Sequence, residues 1–365
     1  MYNLNFCRIV FLPDHVSSDI YGIRKKVLEV QNVPIEIKFI AREVVEEMIQ
    51  QDSTLPLEIV EKAFKRRMDG SVLSPDKISQ IFNQETQERI NCLVATLLDE
   101  QVSGVKWVSV FPPNSEKQLL NVTGVIVLSS LLIGYPLAII DGTYVTAVRT
   151  AAVGAVGAKY LSRPDSKIVG FIGSGEQARM HFRMIKQIRP IMKCFVASRR
   201  RSSEQSFIQE LRGQYPDVEF IACSGDYDEA ARNADIIVTA VSCQAPLLKA
   251  RHIKPGTTYI HVGGWEDEYA VAQNADKIVC DEWEAVKHRS QTLSRMYYEG
   301  LLADEDIYAD IAEIVTGKKR GRENDTEFIY FNSVGMAYID VMFAYDVFTY
   351  AQERSQGQQL FIQGG

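Results

Sequence analysis

Apolar residues first recur at helical spacing. From Ile40 onward, Val44, Val45, Met48 and Ile49 share one face, and Leu57, Val60, Phe64 and Met68 repeat the pattern up to Gly70. The period then shortens. Runs at 92–98, 105–111, 125–128 and 136–140 read as strands joined by turns, which suggests an antiparallel sheet or open barrel. The last two fall in a stretch without charge between Lys117 and Asp141, long enough on length alone to cross a bilayer. Ser129-Ser130 and Gly134-Tyr135-Pro136 interrupt it, so two buried strands and a turn are expected there, not a membrane helix.

At Thr150 the texture changes. Residues 150–161 are rich in Ala and Gly, which suits a helix packed tightly against a neighbour. Strands follow at 168–172, 194–197, 219–222, 236–241, 259–262 and 277–280, alternating with helical segments, the first of them ending at Ile188. Such alternation predicts an α/β, doubly wound parallel sheet over 151–324, preceded by an α+β domain over 1–150. A helix at 337–352 is expected to return to the first domain, and the Gln/Gly-rich tail after Ser355 to be mobile. Residues 1–36 read as an extension without assigned chemistry.

Composition narrows the class. The 365 residues are 46% hydrophobic and 24% charged, with 23 Gly and 12 Pro, which excludes disorder and collagen-like repeats. A net charge of −7 argues against a nucleic-acid or polybasic membrane-surface protein. Six scattered cysteines (Cys7, Cys92, Cys194, Cys223, Cys243, Cys280), none in a C-x-x-C pair, and no visible N-terminal signal fit a cytoplasmic protein with reduced thiols. The five histidines never fall at H-x-x-x-H spacing, so no metal is expected.

The strongest motif runs from Ile168 to Ala178. An apolar strand delivers the chain to a tight turn at Gly173, and Gly175, lacking Cβ, lets backbone N–H groups approach a pyrophosphate at the start of the next helix. Ala178 stands at the third position of the Gly-x-Gly-x-x-Gly fingerprint. At the end of the second strand an acid would select NAD, whereas this chain has Ser198-Arg199-Arg200-Arg201. Ser198 and Arg199 or Arg200 favour the 2′-phosphate of NADP(H), with NAD(H) possible and a solvated basic loop as the alternative.

Three cations stand where structure does not need them: Lys106 inside an apolar strand, Arg149 before the small-residue helix, and Lys77 in a loop. Lys106 either lies on an exposed strand face or meets an anion. His261, at a strand's C-terminal end, is as readily structural as catalytic, and Glu266-Asp267-Glu268 ordinarily reads as a solvated loop. Lys318-Lys319-Arg320-Gly321-Arg322 reads as an exposed turn.

Gly104-Val-Lys106-Trp-Val-Ser-Val-Phe-Pro-Pro-Asn114, Thr123-Gly-Val, Arg149-Thr-Ala-Ala, Gly173-Ser-Gly-Glu-Gln-Ala-Arg179, Ala234-Asp-Ile-Ile-Val-Thr239 and Asn332-Ser-Val-Gly-Met-Ala337 occur in this order. As a set they resemble the ornithine cyclodeaminase/mu-crystallin family over about residues 37–356. The resemblance implies a homodimer whose first domain, an open barrel over 1–150 completed by 325–365, binds substrate and builds the dimer, beside a Rossmann domain over 151–324. It implies that Lys77 and Lys106 hold an amino-acid carboxylate and that Arg149 bridges substrate and cofactor. Glu176 and Gln177 would lie under the pyrophosphate, and Thr239, Val262, Gly263 and Ser333 would also border the cofactor. The shared chemistry is hydride transfer between an amine's Cα and the nicotinamide, giving an imine.

Two departures matter. Cyclodeaminases of the family carry Asp after the Val-Gly-Gly run and Lys four residues later, where this chain has Trp265 and Tyr269. The missing aspartate argues against cyclodeamination, and Glu266, one residue on, is the candidate catalytic acid/base beside Lys106 and Arg149. Gly321-Arg-Glu-Asn-Asp-Thr-Glu and Ala275-Asp-Lys-Ile-Val-Cys-Asp-Glu-Trp283 further resemble the subgroup of N-(carboxyalkyl)amino-acid dehydrogenases that make 2,3-diaminopropionate for siderophores. That subgroup keeps an acid near the ribose, unlike Ser198-Arg199 here. The expected function is thus NAD(P)-dependent oxidation at the C–N bond of a small or N-substituted amino acid. The alternatives are an imine reductase or alanine-type dehydrogenase, an ornithine or lysine cyclodeaminase, and a non-catalytic NADPH-binding protein.

Overall fold

A computed structural model describes residues 35–363. The expectations for the N-terminal extension up to residue 34, with Cys7 and His15, lie outside the described residues. The described chain opens with β1 (Ile35–Ile40), α1 (Arg42–Gln51) and α2 (Leu55–Asp69). Next come β2 (Val72–Leu73), β3 (Ile78–Asn83), β4 (Glu88–Leu97), β5 (Val102–Val110), β6 (Val122–Ser130), β7 (Pro136–Asp141) and α3 (Gly142–Leu161). Strands and helices then alternate through β8 (Ile168–Ile172), α4 (Glu176–Ile188), β9 (Lys193–Ala197), α5 (Arg201–Arg212), β10 (Glu219–Ala222), α6 (Tyr227–Arg232) and β11 (Ile236–Thr239). After them follow β12 (Gln244–Leu248), β13 (Thr258–His261), β14 (Trp265–Asp267), α7 (Tyr269–Gln273), β15 (Lys277–Cys280), α8 (Trp283–Lys287) and α9 (Thr292–Tyr298). The chain ends in β16 (Ala309–Asp310), α10 (Ile311–Val315), β17 (Ile329–Asn332), α11 (Ala337–Glu353) and β18 (Gln358–Gln363).

These elements form two compact units. The first takes residues 35–48, 71–143 and 340–363. Its sheet has the order β18-β1-β7-β6-β5-β4-β2, with β3 also paired to β4. Every pairing is antiparallel except β1 with β7. Because side chains alternate across a strand, β5 buries one face and exposes the other. Leu93, Lys106 and Ile126 stand in register on the buried face. Trp107 and Val125, in register on the other face, are 46% and 41% exposed. The uncharged stretch is the β6–β7 hairpin that its turn residues announce.

The second unit takes residues 49–70 and 144–339. Its sheet is parallel throughout, in the order β10-β9-β8-β11-β13-β17-β15-β16. The strand order reverses beside β8, the point where doubly wound sheets receive ligands. α3 packs small residues against this unit's core: a Cβ at Gly154 would run into the His181 imidazole, and one at Gly157 into the Phe331 ring.

Three features differ from the sequence reading. α3 starts at Gly142, eight positions before Thr150, because Thr143 to Val148 continue the helix without a breaker. β17 enters the parallel sheet between β13 and β15, so the second unit runs to Ile339 and takes in 49–70, where boundaries at 150 and 324 were expected. The tail after Ser355 is not a mobile end up to Gln363, since β18 pairs along β1 and satisfies its edge hydrogen bonds. Among the described residues no helix is long and apolar enough to cross a membrane.

Candidate functional site

The turn after β8 has the geometry its glycines promise. Gly173 adopts φ +109°, a conformation costly for side chains with Cβ, and its N–H donates to Ala197 O at 2.8 Å. Gly175 precedes α4 in extended conformation, and a Cβ built there would meet nothing within 4 Å. Glu176 is exposed, Gln177 is half-buried with Nε2 3.4 Å from Ala147 O, and Ala178 is buried against the sheet. The first N–H groups of α4 thus open onto free space at the positive end of a helix, a cradle that fits a dinucleotide pyrophosphate.

Beyond β9 the chain presents Arg199, Arg200 and Arg201, all exposed. None of the three has a carboxylate partner among the described residues. Ser198 is buried, and its hydroxyl donates to Arg200 O at 3.0 Å. Sequence reasoning missed Glu204, whose fully buried carboxylate accepts N–H bonds from Ser198 at 2.8 Å, Ser224 at 2.9 Å and Gly225 at 2.9 Å. It ties the loops after β9 and β10 together. The available signal was an acid in the first turn of α5, where a carboxylate can reach back to backbone donors.

The C-terminal ends of β11, β13 and β17 converge on a buried polar network. Glu266 is fully buried rather than part of a solvated loop, because β14 turns it inward. Its carboxylate accepts from Thr239 Oγ1 at 2.6 Å, Gly263 N at 2.9 Å and Val241 N at 2.5 Å. Thr239 Oγ1 is also 2.8 Å from Tyr259 OH. His261 sits beside it: Nε2 is 3.3 Å from Glu266 and 3.7 Å from Asp267, itself buried. Each ring nitrogen of His261 faces a closer acceptor, Nδ1 at Asn332 Oδ1 (2.6 Å) and Nε2 at Gly264 O (2.8 Å). Burial pushes both carboxyls up from their ordinary values, against the opposing pull of His261. Gln291 joins the strand ends, donating to Gly263 O at 2.7 Å and Ser333 O at 3.2 Å, and lies 3.5 Å from Val262 O.

The loop after β17 is fixed by Asp281, which accepts from Val334 N and Gly335 N at 2.7 Å each and from Ser333 Oγ at 3.2 Å. Gly335 has φ +79°, and a Cβ there would strike the buried Arg149 guanidinium. Ser333 and Arg149 therefore meet the same loop.

In the first unit, Lys106 is 1% exposed, which excludes the exposed strand face. Its Nζ lies 2.6 Å from the buried Asp340 carboxylate, on α11. Lys77 is half-buried just before β3. The register Ile78–Cys92–Trp107 sets Lys77 opposite Leu93 and two strands, about 10 Å, from Lys106. Lys318, Lys319 and Arg320 are exposed as expected, whereas Arg322 turns inward and donates to Leu161 O at 2.7 Å.

Residues 37–355 match the model of the ornithine cyclodeaminase/mu-crystallin family. Among solved structures, the Δ1-pyrroline-2-carboxylate reductase of Thermococcus litoralis, in complex with NADH and L-proline, is 31% identical. It superposes with a TM-score of 0.84 over 88% of this chain and 99% of that one. An archaeal alanine dehydrogenase dimer with bound NAD is 30% identical, with a TM-score of 0.82 over 90% of this chain and all of that one (100%). The N-((2S)-2-amino-2-carboxyethyl)-L-glutamate dehydrogenase of Staphylococcus aureus is 28% identical over 264 residues, 72% of this chain and 78% of the relative.

Proposed function

The chain belongs to the ornithine cyclodeaminase/mu-crystallin family, and from that premise we propose an NAD(P)-dependent oxidoreductase acting on the C–N bond of an amino acid. The preferred substrate is an N-(carboxyalkyl)amino acid of the kind that yields 2,3-diaminopropionate. The observation that carries the reading is the open cradle at Gly175, a cofactor site at the start of α4 beside the switch point of the sheet. Trp265 and Tyr269, in place of the Asp and Lys of cyclodeaminases, favour oxidation over ring closure.

A nicotinamide bound at the cradle would supply the acceptor for the hydride on the substrate's Cα, the amine N–H proton passing to a base as the imine forms. Water then adds to C=N and releases a 2-oxo acid and an amine. Gly173, Gly175, Glu176 and Gln177 seat the pyrophosphate, and Thr239, Val262, Gly263 and Ser333 border the nicotinamide. Ser198, Arg199 and Arg200 take the 2′-phosphate, which makes NADP(H) the favoured cofactor; exposed guanidiniums with no carboxylate partner among the described residues suit that role. Lys106 and Lys77 bind the α-carboxylate, and Arg149 orients the substrate. Glu266 is the acid/base, its carboxyl pushed up by burial and standing 3.3 Å from His261 Nε2.

The similarity to a reductase of a cyclic imine favours the reverse direction as a second reading, since the same groups serve both. A homodimer completes the reading, formed through the apolar outer face of the first unit's sheet around Trp107 and Val125. The test is a substrate panel offered with each nicotinamide. The reading expects a stoichiometric change in nicotinamide absorbance with N-(2-amino-2-carboxyethyl)-L-glutamate or a related amine. Ammonia release at constant absorbance would make the chain a cyclodeaminase instead.

A further inference from the structure

Arg295, on α9, is a cation without a counter-charge among the described residues. Its guanidinium carbon lies 4.6 Å from the centre of the Trp265 indole, and the residue is half-buried. Both of its hydrogen bonds are long, Nε to Ser290 O and an Nη to Gln244 Oε1, each 3.4 Å. No carboxylate lies within 4 Å of it among the described residues. Glu299, one turn further along, accepts from Tyr269 OH at 2.8 Å instead. The Trp265 indole N–H is covered and also lacks an acceptor. Two donors therefore lie side by side with no anion, an arrangement whose desolvation is left uncompensated.

The position is informative. Trp265 follows Gly263-Gly264 at the C-terminal end of β13, the edge where parallel sheets bind ligands. Gln291, one residue before α9, holds Gly263 O, so Arg295 stands one helical turn from a residue bonded to the nicotinamide border. The pyrophosphate cradle lies on another strand, β8, so the cofactor's own phosphates are accounted for elsewhere.

We propose that Arg295, held flat by Trp265, binds a second carboxylate of the substrate, distinct from its α-carboxylate. The inference rests on the reading above and narrows it to dicarboxylic or N-carboxyalkyl substrates. A planar guanidinium stacked on an indole offers two parallel N–H donors, which match a carboxylate and make its recognition bidentate. Trp265 thus replaces a catalytic acid with the wall of an anion site.

The test compares N-(2-amino-2-carboxyethyl)-L-glutamate with the analogue built on L-glutamine, which differs by one carboxylate. The wild type is expected to favour the acid about tenfold or more in kcat/KM, and Arg295→Met to bring that ratio close to one. Arg295→Lys keeps the charge without the fork and gives an intermediate ratio, which also decides the matter should the Met variant not fold. A ratio near one in the wild type, or one that survives both substitutions, overturns the proposal. If neither compound turns over with either nicotinamide, it is the proposed function that fails, and calorimetry then reads Arg295 alone. Glutarate should bind the wild type with NADPH present, about tenfold more weakly the Arg295→Lys variant, and butyrate neither; equal or absent glutarate binding overturns the proposal.

Discussion

Lys106 shows how far a single residue can be read. A cation amid Val, Trp and Val announces a buried charge that needs an anion, and it is buried. Its partner Asp340 was not legible, because an acid in the apolar first half of a distant helix carries no local signal. The pair divides structure from catalysis. Lys106→Met is expected to cost about 3–5 kcal/mol by breaking the buried ion pair with Asp340, measured by denaturant unfolding. Adding Asp340→Asn should recover much of that stability while turnover stays lost; recovered turnover would remove Lys106 from the substrate site. Glu266→Gln should slow turnover about 100-fold or more and alter its pH profile, because the amide can neither take up nor give a proton as the carboxylate can. Asp310 offers a separate reading by pH. Burial, with Glu282, Asp281 and Glu313 nearby, pushes its carboxyl from 3.8 up to about 7. The folded state then holds a proton that the unfolded chain has released, so this group's contribution to stability falls as pH rises through that window. Asp310→Asn should flatten that part of the unfolding midpoint's pH dependence.

At the scale of elements, the cofactor half was the most legible. Strand, Gly-x-Gly turn and helix occur within one local run, and β8 and α4 fall at the expected residues. β17 was not legible: its four residues follow a charged loop and take their place from neighbours β13 and β15, far off in sequence. β3 and β18 escaped for another reason, since edge strands rich in Gln, Ser and Asn bury no face that would impose alternation. The Ala/Gly texture of α3 correctly announced close packing. Gly154→Ala would force a methyl into the His181 imidazole and should destabilise the protein by about 1–3 kcal/mol in thermal or denaturant unfolding. The loop after β9 is proposed above to choose between the two nicotinamides. Arg199→Ala should weaken NADPH binding by at least fivefold more than NADH binding in fluorescence titrations, about 1 kcal/mol of differential affinity. Equal losses would mean that the basic loop is only surface.

For the molecule as a whole, alternation in β4, β5 and β6 leaves one sheet face apolar and open among the described residues. On the proposed homodimer, Trp107→Glu should give a monomer in sedimentation equilibrium where the wild type is a dimer, and a variant that stays dimeric would place the interface elsewhere. The central claim is hydride exchange between an amino-acid Cα and a nicotinamide, and isotope transfer tests it most directly. With N-(2-amino-2-carboxyethyl)-L-glutamate deuterated at the glutamyl Cα, and oxidised nicotinamide in stoichiometric amount, mass spectrometry should find the deuterium on the reduced ring. Label retained on the amine, or nicotinamide left oxidised at the end while ammonia is released, would contradict the account.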